Sequence, residues 1–363
     1  MRFVNESGLW TTGPVPEAAP LTTVLEICGA VLSWTVDDPA HEVHIAFTDP
    51  VRADWLWRIV GESGHSSIAE ALETSDPTVE LKVADVDVVP GSLETLRRVA
   101  LGHWLRRWWP SSSRDGIAEL DAALLDGEVA LLTDAAMDFF GEDGTFDSDV
   151  AGLLRPHAEA LNGLARHEDP RVVELVRRCT ELAEDSGVVV AESAVVTDAR
   201  RDDYALAAGG GAVGGRREAV AAGVSSVRWA AVPQGIFDSA EGTLGWSVEA
   251  DGANVSAVVN AEVSGPGSPE GIAVRVRSDG ISGAGALDAA GSATLRLFDD
   301  QLSPVTETAA WNHDWRDTEV SVGVDVAEDQ QVRDRVREFA RTRLRHPGAD
   351  AYLAEILAAE SDY

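Results

Sequence analysis

The stretch Leu93-Glu94-Thr95-Leu96-Arg97-Arg98-Val99-Ala100-Leu101-Gly102-His103-Trp104-Leu105-Arg106-Arg107-Trp108-Trp109-Pro110 decides how the rest of the chain is read. Leu101, Trp104, Leu105 and Trp108 recur at the spacing of one helix face, and Leu93, Leu96 and Ala100 widen that face. So broad a stripe marks a helix set inside a core, with Trp104 and Trp108 both expected inside. Pro110 ends it, because proline brings no amide hydrogen to the ladder. After Ser111-Ser112-Ser113 a second helical run covers residues 116–140, with Ile117, Leu120, Leu124, Leu131 and Ala135 as its apolar side. This pair is expected to be the structural centre.

Upstream of it, residues 1–20 hold Pro14, Pro16 and Pro20 and read as an irregular lead-in. Residues 21–34 are nearly continuous in apolar character and read as a helix, alone or with a following strand. Residues 41–47 alternate, with Val43, Ile45 and Phe47 on one side, and read as a strand. Asp49-Pro50 is a helix start, since aspartate caps and proline fits the first turn. Residues 79–89 alternate again and predict a second strand, after which Ser92 is placed to cap the central helix. Downstream, the helical pattern continues to about Tyr204, with starts at Asp147 or Ser148 and at Asp169-Pro170, and a bend at Pro156.

The glycine run at 209–215 marks a change of composition, from Leu and Glu to Val, Ser, Thr and Gly. Beyond it, residues 227–232, 244–250, 255–263, 272–277, 293–298 and 320–326 are short alternating runs separated by turns such as Asp251-Gly252 and Asp279-Gly280. Strands at this spacing predict a β-sandwich. The expected fold class is therefore α+β multidomain. An N-terminal α/β-to-helical part covers residues 1–208, a Gly-rich linker 209–224, and an all-β Ig-like sandwich 225–328. A helical tail follows at 329–363, where Val332, Val336, Phe339 and Ala340 form a narrow packing side. Its residues 329–345 carry six arginines against three carboxylates.

The net charge of −33 over 363 residues disfavours nucleic acid and anionic membranes as general partners and favours basic partner surfaces. Lys82 is the only lysine, a coding bias that fits a GC-rich bacterium. Cys28 and Cys179 stand far apart with no framework around them, the first residues hold no apolar signal core, and no window approaches a membrane span. The expected compartment is the cytoplasm.

Motifs that could carry chemistry each have a plainer account. Gly209, Gly211 and Gly214 match G-x-G-x-x-G, but the residues before them are helical in pattern, so a linker fits better than a nucleotide site. His41 and His44 have the wrong spacing for a zinc helix and point to opposite faces of a strand. Asp143, Asp147 and Asp149 lack the order of a calcium loop, and capping accounts for them. Arg97, Arg98, Arg106, Arg107 and Arg114 lie among Trp104, Trp108 and Trp109, the composition of a single-strand nucleic-acid grip; the stripe buries the rings, and the arginines are expected to meet the chain's own carboxylates. Trp311-Asn312-His313-Asp314-Trp315 is the densest polar-aromatic cluster of the β region.

No catalytic constellation, cofactor motif or metal motif emerges. The sequence therefore points to a protein–protein adaptor or scaffold whose partner has a basic or apolar surface, with Trp311, His313, Trp315, Arg333, Arg337 and Arg341 as candidate interaction residues. The rival readings are a ligand sensor or enzyme whose site assembles only in the fold, and a nucleic-acid binder through the arginine/tryptophan patch.

Overall fold

The computed structural model describes residues 1–38, 42–74, 80–140, 145–187, 219–251 and 254–361, with side chains of 145–148 left aside. The glycine run 209–215, His41 and Asp143 lie outside the described residues. The chain divides into two compact units. One comprises Met1–Trp109, Leu120–Ser193 and Gln330–Tyr363; the other comprises Pro110–Glu119 and Ala194–Asp329. In this division the tail goes with the first unit.

The first unit opens with antiparallel strands: β1 (Arg2–Glu6), β2 (Leu9–Thr12), β3 (Thr22–Ile27), β4 (Ala30–Thr35) and β5 (His44–Phe47). Helix α1 (Trp57–Thr74) and the two-residue β6 (Leu81–Lys82) follow, and the sheet order is β3-β4-β5-β2-β1-β6. The lead-in is thus irregular only from Gly13 to Pro20, with β1 and β2 ahead of it, and residues 21–34 are not a helix but a hairpin. Its turn is Cys28-Gly29, with Ile27 opposite Ala30. Gly29 has φ 75°, and a Cβ there would stand 2.3 Å from the Asp49 carbonyl oxygen, so no other residue fits. Apolar side chains on both faces, Leu25 and Leu32 on one and Val24 and Val31 on the other, erase the alternation that would announce a strand. The inward face, with Phe3, Trp10, Leu32, Ile45 and Phe47, builds the core that the helices close. Of the strand expected over 79–89, only β6 forms among the described residues. Asp49 caps as expected, accepting from the Val51 amide, but the helix it opens is a single 3-10 turn, Pro50–Arg52.

Helix α2 (Glu94–Trp108) is the central helix, and it packs on β3. Ser92 does not cap it; its hydroxyl donates to the Val89 carbonyl instead. Trp104 is buried, gives its indole hydrogen to the Pro20 carbonyl at 2.6 Å, and meets the Phe339 ring edge-on at 5.4 Å. Trp108 is only half-buried, with the Arg107 guanidinium over its ring, while Trp109 takes the buried place where the helix ends. Trp108 shares the face of Leu101 and Trp104 but is the last residue of the helix.

Helix α3 (Ala122–Ala135) is capped by Asp121, whose carboxylate accepts from the Leu124 amide. It packs against α2 and against α4 (Thr145–Leu154), α5 (Ala158–Leu164) and α6 (Pro170–Asp185). Helix α4 begins before Asp147 and Ser148, so neither is its first residue. The bend at Pro156 is present as a 3-10 turn, and Asp169 caps α6 through the Arg171 amide.

The second unit holds β7 (Ala219–Ser225), β8 (Leu244–Asp251), β9 (Asn254–Ala261), β10 (Ala273–Ser278), β11 (Ile281–Ala286), β12 (Ser292–Arg296), β13 (Phe298–Asp299), the short helix α7 (Glu307–Asn312) and β14 (Glu319–Val322). They form two four-stranded sheets, β13-β11-β10-β14 and β12-β9-β8-β7, and all the pairs are antiparallel. Val248, Val259 and Leu295 of one sheet share an apolar core with Val274, Val276 and Val322 of the other. Residues 227–232, expected as a strand, instead contain a 3-10 turn at Trp229–Ala231, whose N-terminal amides are taken by the Glu328 carboxylate. Strand β7 occupies 219–225, positions read from sequence mostly as linker.

The chain returns to the first unit with α8 (Gln330–Arg345) and α9 (Leu353–Ser361). Glu355 has 0% exposure, and its carboxylate receives Arg343 Nε at 2.5 Å, Arg343 Nη2 at 2.7 Å and the Tyr352 amide at 2.9 Å. Arg98 of α2 donates to Glu128 of α3 and to the Ala351 carbonyl, while Glu128 accepts from the Leu353 amide and the Tyr352 hydroxyl donates to the Arg98 carbonyl. Burial pushes the Glu128 carboxyl above its ordinary value, outweighing the Leu353 amide and the partly exposed Arg98. Gly102 makes room for this docking: a Cβ there would stand 2.4 Å from the Tyr352 hydroxyl.

Removing the Trp104 ring should cost the first unit about 3–5 kcal/mol, the range for large aromatic core deletions. Trp108→Ala should cost less than about 2 kcal/mol, because part of its surface is already exposed to water. Chemical denaturation of the two variants checks the order; equal losses would contradict the placement of Trp104 inside and Trp108 at the margin.

Candidate functional site

Strand β7 has the sequence Ala219-Val220-Ala221-Ala222-Gly223-Val224-Ser225 and carries neither charge nor proline. It pairs with β8 from Ala219↔Glu249 to Ser225↔Leu244, with a register shift between Ala219 and Ala221. Among the described residues no strand pairs with its other side, and it ends the sheet order. Val224 is 75% exposed. Edge strands are ordinarily blunted by lysine, proline, bulges or a covering element, since their free amides and carbonyls invite another strand. Here the irregularity at the first residues is the only such device within the strand itself. Sequence reading missed β7 because alanine and glycine weaken both the alternation and the β-propensity on which it relies.

The tryptophan cluster falls at the end of α7. Trp311 is 49% exposed, whereas Trp315 is buried and donates its indole hydrogen to the Ala310 carbonyl at 2.9 Å. His313 packs its ring against Trp315 at 4.5 Å, and its Nε2 is 2.9 Å from the Ser278 hydroxyl, which also receives the Thr318 hydroxyl at 3.2 Å. A serine–histidine pair invites a nucleophile reading. Ser278 is buried, however, so a substrate cannot reach its oxygen, and Asp314 turns to Arg316 rather than to the imidazole. The pair ties the loop after α7 to the β10–β11 hairpin. Of this cluster, only Trp311 offers a broad surface outward.

The tail arginines lie inward. Arg333 and Arg337 are buried and Arg341 is half-buried; Arg337 meets Asp334 at 2.7 Å, and none of the three is free. Arg335, outside the candidate set, bridges to Asp37 at 2.9 Å and Glu17 at 2.7 Å. The arginine/tryptophan patch is likewise occupied by the chain itself. Arg98 meets Glu128, Arg106 meets Asp126, and Arg114 meets Glu262 within the second unit. With Trp104 and Trp109 buried, neither ring has a face for a base.

A second polar cluster joins α2 and α3. Asp126 accepts from Arg106 Nε at 2.6 Å and pairs with His157 Nε2 at 3.0 Å; Arg106 also lies 3.4 Å from His103 Nδ1. Burial alone would raise the Asp126 carboxyl, but hydrogen bonds from His157 and Arg106 outweigh it and hold the group below its ordinary value. Burial, helped by the Arg106 charge, pulls His103 down against the weaker pull of Asp126 and Asp149. The buried Cys179 thiol is pushed up to about 12, chiefly by burial, so it is no nucleophile. Among the described residues no group of three or more His, Cys, Asp or Glu is placed to hold a metal ion, and no helix is long and apolar enough to cross a membrane.

Comparison with family models, with curated proteins and with solved structures finds no match for this chain.

His103 gives a pH prediction. Its folded value lies below the ordinary 6.5, so the unfolded chain binds the proton more readily. The stability it contributes is complete above 6.5 and declines as the pH falls through 6.5 toward the folded value. Denaturation midpoints taken between about pH 5 and 7.5 should fall less steeply on acidification in His103→Gln than in the parent. Parallel curves would show that the imidazole is not held neutral by its surroundings.

Proposed function

We propose that the chain is an adaptor or scaffold component that binds other proteins without a catalytic step of its own, and that its β region is an Ig-like sandwich module presenting the binding edge. The uncharged edge of β7, on whose far side no strand pairs among the described residues, is the observation that carries this reading. A partner's extended segment can add to that edge by main-chain hydrogen bonds, and side chains alternating along it supply selectivity. Two antiparallel sheets sharing one apolar core support the module reading. The charge of −33 favours a partner with basic residues flanking an apolar segment, through faster encounter and exclusion of acidic competitors.

The test places a charge on the edge. Val224→Lys changes a side chain that is 75% exposed, so the second unit should stay folded. Affinity purification from the native host, run in parallel with the parent, Val224→Lys and Val224→Thr, should give a partner retained by the first and third and depleted at least about tenfold by the lysine. Identical partner sets for all three would remove β7 from the interaction and leave the adaptor reading without its surface.

A further inference from the structure

A cleft of about 1050 Å³ opens in the first unit where the ends of β2, β4 and β5 meet the chain leading into α2. Its apolar lining includes Val43, Ile45, Val86, Val88 and Leu93. Around this lining stand four exposed carboxylates: Asp38, which has a partner, and Glu42, Asp87 and Glu94, none of the last three in an ion pair among the described residues. The two arginines that also line it are engaged: Arg2 pairs with Glu80 at 3.4 Å, and Arg97 is not free either. The cleft thus joins apolar walls to negative charge that the chain leaves unneutralised.

We infer that this cleft is a binding site for an organic cation with an apolar body, an amine or guanidine on an aliphatic or aromatic stem. The volume is at the upper end of that of sites for small organic ligands. A neutral apolar ligand would cover the walls but would crowd the hydration of three carboxylates without giving them a partner. An anion would meet repulsion from the same three groups. A cation on an apolar stem fills the walls and neutralises the rim, and the nearby low-dielectric surface strengthens that attraction relative to water. This site lies in the first unit and does not rest on the β7 reading, so either can fail alone.

The experiment is isothermal titration of the full chain with 4-phenylbutylamine and with its neutral counterpart 4-phenylbutanol, at about 0.15 M salt, where charges beyond about 8 Å are screened. The amine should bind at least about tenfold more tightly than the alcohol. Glu94→Gln and Glu42→Gln should each weaken the amine about five- to tenfold while leaving the alcohol unchanged. Glu270→Gln, an exposed site in the second unit, should change neither. Equal binding of amine and alcohol, or equal losses from Glu270→Gln and Glu94→Gln, would overturn the assignment, the latter by tracing the attraction to the general negative field of the chain.

Discussion

The Glu355 carboxylate has no exposure to water, and a charge in that position is tolerable only if every lone pair is met. Arg343 meets it with two N–H groups and the Tyr352 amide with a third. That arrangement fixes the turn between α8 and α9. From the same turn, Tyr352 reaches the Arg98 carbonyl and the Leu353 amide reaches Glu128, so the two central helices are tied to a segment more than two hundred residues away. The tail is thereby an integral part of the first unit's core, and Phe339 closes over Trp104 from the same side.

This constraint explains why the tail carries so many arginines in so acidic a chain. Arg333, Arg337 and Arg343 are buried, and Arg335 joins Glu17, which precedes β3, and Asp37, which follows β4. Guanidinium groups suit such sites because they stay charged and engage carboxylates through two parallel bonds. The exposed pairs, Arg345–Glu338 among them, add little by comparison. Surfaces available for binding must then be sought among other residues.

Much of this was legible in the chain, and the failures have physical causes. The central helix, its proline stop, the Asp169-Pro170 start and strands β8, β9, β10, β12 and β14 follow from period and turn chemistry. The β3–β4 hairpin did not, because both of its faces carry apolar residues and the only marker of its turn is Gly29. Strand β11, Ile281-Ser282-Gly283-Ala284-Gly285-Ala286, has one β-branched residue and was invisible for the same reason as β7. Glu355 drew no notice as one glutamate among many, since its partners Arg343 and Tyr352 are recognisable only once the turn is folded. The candidate arginines of the tail were found by charge, yet charge alone does not tell an inward guanidinium from an outward one. Sequence singled out His313 and Trp315, but the hydroxyls of Ser278 and Thr318 that hold the imidazole come from elsewhere in the chain.

The claim that the tail's buried carboxylate holds the first unit together is tested most directly by a double-mutant cycle on Glu355 and Arg343, read by chemical denaturation of that unit. Glu355→Ala and Arg343→Ala should each cost about 3–5 kcal/mol, because each leaves a buried charge uncompensated. The double variant should cost well under the sum, since the second change removes the charge that the first had stranded. Single losses under about 1 kcal/mol that simply add would show that the pair is incidental and that the tail is held by other means.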